Sequence, residues 1–256
     1  MLLVPKIEMI KYIECDMLDA AATTLPVIQP SVSVGNVGQL TIDLLISTLP
    51  TKKIGIVHHP AIHAMVGGDP YNPNSKEVTT SADLHLVEEH SIVILQIRAP
   101  LIKRERQKFL EELVAWCKNV GIKDVVMLSS CNAYERWDSQ ISGTQLRYYT
   151  SNVSESCVQM LRSVGAAELE ERTDEFGKKQ RFLSGAGFVQ PFMDICELPV
   201  ATLIKFVDEG DNRSDAYALA TYLNAWKHLL KETNPSWKAP FSWKNLYGGP
   251  QPVGLC

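Results

Sequence analysis

The sequence predicts an α/β fold built in layers, and three observations carry that expectation. Residues 30–50 read as strand, glycine turn and buried helix in succession. Val125-Val126-Met127-Leu128 is wholly apolar, as a central parallel strand would be. Residues 103–120 form a well-marked amphipathic helix.

Taken in order, residues 1–30 are a lead-in with one strand or short helix. Val32 and Val34 alternate with serines, the period of a strand. Gly35-Asn36 supplies a tight turn, and Asn36 is placed to cap the helix that follows. Two overlapping apolar series, Val37, Leu40, Leu44 and Ile42, Leu45, Ile46, Leu49, give that helix a wide buried face, and Pro50 stops it. A second strand covers residues 53–57. Residues 58–81, rich in Gly, Pro, Asn and Thr, read as a long loop with Gly67-Gly68-Asp69-Pro70 as its turn. Loops of that length are often functional.

Residues 84–88 and 91–97 form a hairpin. In the helix at 103–120, Phe109, Leu113, Trp116, Cys117 and Val120 share one face and Gly121 caps the end. Lys103, Arg104, Arg106 and Lys108 at its start make a basic patch or a solvated face. The strand from Val125 ends at Ser129-Ser130-Cys131, where an α/β sheet places its site. Residues 134–149 read as loop, 154–164 as helix, 166–169 as strand and 182–188 as a glycine turn. Helices at 192–209 and 214–231 follow, forming a C-terminal helical pair. The tail has four prolines (Pro235, Pro240, Pro250, Pro252) with Trp237, Phe241, Trp243, Leu246 and Tyr247, so it packs on the body or docks on a partner. The division expected is one α/β domain, residues 1–233, and a C-terminal arm, residues 234–256.

With 256 residues, 45% hydrophobic and 21% charged, the chain is long enough for one large domain. A net charge of −4 without charged blocks argues against nucleic-acid or membrane-surface binding. The six cysteines, Cys15, Cys117, Cys131, Cys157, Cys196 and Cys256, form no C-x-x-C pair. That pattern suggests reduced thiols in the cytosol or nucleus. No window has the length and hydropathy of a signal peptide or membrane span.

A catalytic centre is hard to assemble from these residues. Gly35, Asn36 and Gly38 lie between a strand and a helix N-terminus, where backbone amides can hold an anion. The full dinucleotide pattern and the P-loop Lys-Ser/Thr are absent, so close helix–strand packing is the plainer reading. His58, His59 and His63 are the densest set of candidate metal ligands, but no carboxylate follows until Asp69, and zinc needs three or four ligands. Cys131 is the best thiol and Ser129 or Ser130 the best hydroxyl; neither has an evident base. No catalytic, cofactor-binding or metal residues are assigned, and no cofactor is expected.

The motif Pro30-x-Val32-Ser33-Val34-Gly35-Asn36-Val37-Gly38-Gln39-Leu40 closely resembles the proteasome assembly chaperone family. Two further blocks extend the likeness: Leu203-Ile204-Lys205-Phe206-Val207-x-Glu209-Gly210-Asp211-Asn212, and Trp237-Lys238-x-Pro240-x-Ser242-Trp243 with Leu246-Tyr247-Gly248. The resemblance implies a three-layer α/β/α domain of phosphorylase/hydrolase-like fold without the enzymes' catalytic groups. It implies a non-enzymatic chaperone of 20S proteasome assembly, cytoplasmic and nuclear. Such a chaperone forms a heterodimer with a paralogue, proteasome assembly chaperone 1, and holds proteasome α-subunits while their ring forms. Some members end in a hydrophobic-Tyr-any tripeptide. Here Gly254-Leu255-Cys256 lacks the tyrosine, and Leu246-Tyr247-Gly248 has the side chains but is internal. Tyr71, Trp243, Leu246, Tyr247, Leu255 and Cys256 are the partner-binding candidates. The alternative is a nucleoside-phosphorylase or hydrolase-like enzyme using the Gly35–Gly38 turn and the Ser129–Cys131 strand end. A third reading is a redox or metal protein built on Cys131 and the histidines.

Overall fold

A computed structural model of the chain describes residues 10–12, 26–173, 177, 179–181 and 183–248. A nine-stranded sheet runs through it. The strands are β1 (Ile10–Tyr12), β2 (Pro26–Pro30), β3 (Thr51–Val57), β6 (Ala82–Val87), β7 (Ile92–Ile97), β8 (Asp124–Asn132), β9 (Leu146–Ser151), β10 (Ala167–Glu168) and β13 (Val200–Val207). Their order is β1-β3-β6-β7-β2-β8-β13-β9-β10. The four central strands, β7, β2, β8 and β13, are mutually parallel. On one flank β6, β3 and β1 alternate in direction; on the other β9 runs antiparallel to β13.

Helices cover both faces, as side chains that alternate along buried strands require. One face packs on α2 (Arg106–Asn119) and α5 (Val189–Ile195) through Phe109, Leu113, Trp116 and Phe192. The other packs on α1 (Val37–Thr48) and α6 (Arg213–Lys227) through Val37, Ile42, Leu45, Leu219 and Trp226. Full burial of each such apolar side chain contributes about 1.5–3 kcal/mol. The short α3 (Asp138–Ile141) and α4 (Glu155–Ser163), the latter capped by the Ser154 hydroxyl, complete the helices used below.

Several expectations are corrected. Val32 and Val34 are not in a strand: β2 ends at Pro30, and Val34–Asn36 is a single 3-10 turn. Asn36 does stand at the N-cap of α1, with φ 54°, but its side chain makes no capping hydrogen bond. The helix expected at 192–209 is two elements, α5 and then the central strand β13, so there is no C-terminal helical pair. β13 is buried along almost its whole length on both faces, which erases the period-2 signal. β8 runs through the expected Ser129-Ser130-Cys131 end to Asn132, and residues 134–149 contain α3 and the start of β9. The loop at 58–81 contains a two-stranded ribbon, β4 (Val66–Gly68) against β5 (Val78–Thr80). A further ribbon pairs β11 (Glu171–Thr173) with β12 (Lys179–Arg181). The helix at 103–120 starts at Arg106, and the basic residues at its start are exposed or half-buried. Gly121, φ 75°, follows its end as expected.

Candidate functional site

The carboxyl ends of the parallel strands are where an α/β sheet opens a crevice. Here the part beyond β2 is closed by the protein itself, while a cleft of 340 Å³ stays open past the ends of β8 and β13, lined among others by Ala133, Arg136, Phe206, Asp208 and Asp215. Beyond β2 the Ser31 hydroxyl donates to the Ala186 carbonyl (2.7 Å) and accepts from the Phe188 amide (2.8 Å). Ser129 donates to the same carbonyl at 3.1 Å. Ser130 donates to the Val34 carbonyl (2.5 Å) and lies 2.8 Å from the Ser33 hydroxyl. A Cβ on Gly38 would sit 2.4 Å from the Leu128 carbonyl oxygen, and one on Gly187 2.1 Å from that of Val32. Both glycines are therefore required by close backbone approach. Gly35, φ 64°, turns against Asn212. Cys131 is fully buried, and burial, with Glu135 nearby, pushes its thiol up to about 12. It is neutral and unreactive at ordinary pH.

The histidines do not gather. His59 is buried on the Phe109 ring, its Nδ1 accepts from the Ala61 amide (2.9 Å), and burial lowers its pKa, partly offset by Glu112. His58 and His63 are exposed. Among the described residues no three His, Cys, Asp or Glu are grouped as metal ligands, and the four described cysteines are free. No described helix is long and apolar enough to cross a membrane.

Polar and apolar groups of a different kind meet where the 58–81 loop lies on α1. Tyr71 donates its hydroxyl to Asp43 Oδ1 (2.8 Å) and accepts from Arg98 (2.8 Å). Arg98 pairs with Asp43 at 2.9 Å, and Gln96 donates to the same oxygen. Burial pushes the Tyr71 hydroxyl well above its ordinary range, and the Asp43 charge adds to the rise. Burial alone would lower Arg98, but Asp43 and Tyr71 outweigh it and raise its pKa. Asp69 Oδ1 accepts from the amides of Tyr71 and Asn72, which fixes the turn.

The tail meets that loop. Ser242 N–H donates to the Pro70 carbonyl (3.0 Å), and Lys238 N–H to the Thr48 hydroxyl at the end of α1. Trp237 donates to Thr221 (3.0 Å), and Trp243 packs edge-on to Tyr217. Of the partner-binding candidates, Trp243 is thus corrected: it is 4% exposed and anchors the tail instead of facing outward. Tyr71 is half-buried with its hydroxyl engaged. Leu246 and Tyr247 are 44% and 48% exposed, with Arg213 over the Tyr247 ring. Leu255 and Cys256 lie outside the described residues. The structure adds exposed apolar residues at the ribbon, Met65, Val66 and Val78, and leaves Phe241 of the tail exposed. Asp43, a carboxylate amid the apolar series of α1, was the sequence signal for the Tyr71 cluster.

Residues 27–229 match the PAC2 family. A Xenopus tropicalis protein named proteasome assembly chaperone 2 is 38% identical over 241 residues, covering 88% of this chain and 92% of that one. Its Homo sapiens namesake is 36% identical over 258 residues, covering 93% and 96%. Among solved structures, Pyrococcus furiosus PbaA, described as an archaeal homologue of proteasome-assembly chaperone, superposes with a TM-score of 0.64 at 16% identity. The match covers 88% of this chain and 89% of PbaA. P. furiosus PbaB, described as an archaeal proteasome activator, gives 0.59 at 14%, covering 89% and 92%. These two likenesses concern the fold.

Proposed function

This chain belongs to the PAC2 family, and from that premise we propose that it is an assembly chaperone of the 20S proteasome core. It acts without catalysis, as one half of a heterodimer with proteasome assembly chaperone 1, and holds α-subunits while their ring forms. The carrying observation is near-full-length identity to proteins of that name. The closed joint beyond β2 supports a non-enzymatic role, because its serine hydroxyls are spent on backbone carbonyls and its glycine gaps are closed. Helices on both faces of a parallel-centred sheet support the phosphorylase/hydrolase-like label for the fold.

The ribbon carrying Met65, Val66 and Val78, and the arm at 234–256 with Phe241, Leu246 and Tyr247, are the contact surfaces of this reading. Exposed apolar groups of this kind mark protein contacts when they cluster. By covering association surfaces, the heterodimer biases which subunits meet. Its compartments are the cytoplasm and nucleus.

The test is capture with an N-terminal tag followed by mass spectrometry. The expected result is a stoichiometric paralogue together with α-subunits, without mature β-subunits. A monomer that brings down no proteasome subunit overturns the reading.

A further inference from the structure

Between the end of α1, strands β3 and β6, and the β4–β5 ribbon lies a cleft of 290 Å³. That space sits at the small end of the roughly 300–1,000 Å³ of drug-sized ligand sites and suits one long side chain. Its walls are of two kinds. Ile46, Leu49 and Val78 make an apolar side. Lys53, Asp69, Glu77 and Asp83 supply one cation against three carboxylates. Lys53 is committed to Asp83 at 2.8 Å, which leaves the charges of Asp69 and Glu77 without a cation among the lining residues.

An independent feature marks the floor of this cleft. His85 lines it, is 7% exposed, and its ring nitrogens have no hydrogen-bond partner among the described residues. Its ring meets the edge of Tyr71, centroids 6.2 Å apart. Its ring nitrogens are not among the polar atoms sealed away without a partner, so they keep access to the cleft, where a group that enters can use them. Burial, with Lys53 and Arg98 adding to it against Asp83 and Asp43, pushes His85 down to about 4. At neutral pH the ring is therefore uncharged and one nitrogen accepts.

We propose that this cleft binds the basic side chain, arginine or lysine, of a partner protein. The aliphatic stem lies along Ile46, Leu49 and Val78, as such stems do on apolar surface. The charged head has donors only, and the cleft offers acceptors: Asp69 and Glu77 at the ribbon and His85 below. An anionic group would meet net negative charge and is rejected. That the partner is a proteasome subunit or the paralogue rests on the assembly-chaperone reading; the site itself does not.

The test is an NMR titration of the isotope-labelled full chain at neutral pH with N-acetyl-L-arginine amide, with N-acetyl-L-norleucine amide as the uncharged control. The expected result is saturable shifts of the His85 ring and Val78 methyl resonances in the millimolar range, absent with the control. Glu77→Gln, an exposed substitution that leaves the core intact, should weaken binding about threefold. His85→Phe should weaken it about tenfold or more. The proposal is overturned if no shift saturates, if the norleucine probe acts equally, or if Glu77→Gln leaves the curve unchanged. Capture of α-subunits without arginine binding defeats the cleft alone. Arginine binding without capture defeats the chaperone reading alone.

Discussion

Two regions of this molecule treat empty space in opposite ways. Beyond the carboxyl end of β2, glycine and serine remove it. Gly38 and Gly187 let backbones approach to distances no Cβ would allow, and the hydroxyls of Ser31, Ser129 and Ser130 bond carbonyls. Beside α1, under the 58–81 loop, space remains: a cleft with His85 in its wall, and exposed apolar residues on the ribbon and tail. The first region lies where an α/β sheet normally holds its ligand. In this chain it is a structural joint, although Gln29 on β2 is buried beside it with both side-chain polar atoms lacking a partner.

The sharpest way to break this contrast is Gly187→Val. The new side chain would strike the Val32 carbonyl at a φ of 68°, which β-branched residues avoid. A loss of about 4 kcal/mol in urea unfolding is expected, from overpacking plus backbone strain. A near-neutral result would mean the crevice has room after all.

Acid probes the other region. The His85 pKa is lowered in the folded state to about 4, below its unfolded value of 6.5. As pH falls through 6.5 the unfolded chain takes up a proton that the folded chain refuses. Stability is thus full above 6.5 and declines toward pH 4, by up to about 3 kcal/mol from this group. Chemical denaturation across that window should show the decline, and His85→Phe should flatten it.

Trp243→Ala separates tail from body. Because the tail can leave instead of preserving a cavity, about 2 kcal/mol is expected rather than the larger cost of a central core truncation. Amide exchange should rise at residues 237–243 and, through the Ser242–Pro70 hydrogen bond, at the 58–81 loop. Protection unchanged in the loop would show that the two regions are independent.

The smallest effect belongs to Tyr71→Phe. It removes a hydroxyl shared by Asp43 and Arg98 but leaves that ion pair in place. About 1 kcal/mol is expected in thermal unfolding. A much larger loss would make the tyrosine, not the ion pair, the main tie between loop and helix.

Local pattern was enough for α1, the β6–β7 hairpin, α2, the apolar half of β8 and the capped α4, because each has a periodicity or a cap of its own. It was not enough for β13. A strand buried on both faces between β8 and β9 shows an unbroken apolar run, and period alone does not distinguish that from helix. β9 was hidden for a related reason: Arg147 is buried there, paired with Glu170 at 3.0 Å, and a lone sequence does not announce a partner 23 residues away.

The sequence by itself determined the layered α/β class, the glycine joint after β2 and, through three ordered motifs, the family. These depend on neighbours in the chain or on side chains that suit only one conformation. Only the tertiary structure decided that the joint is filled, that Trp243 faces inward, and that loop and tail meet at Pro70 and Ser242. Those outcomes turn on contacts between residues up to about 170 positions apart, and no local propensity encodes which buried group finds a partner and which, like Gln29, is left without one.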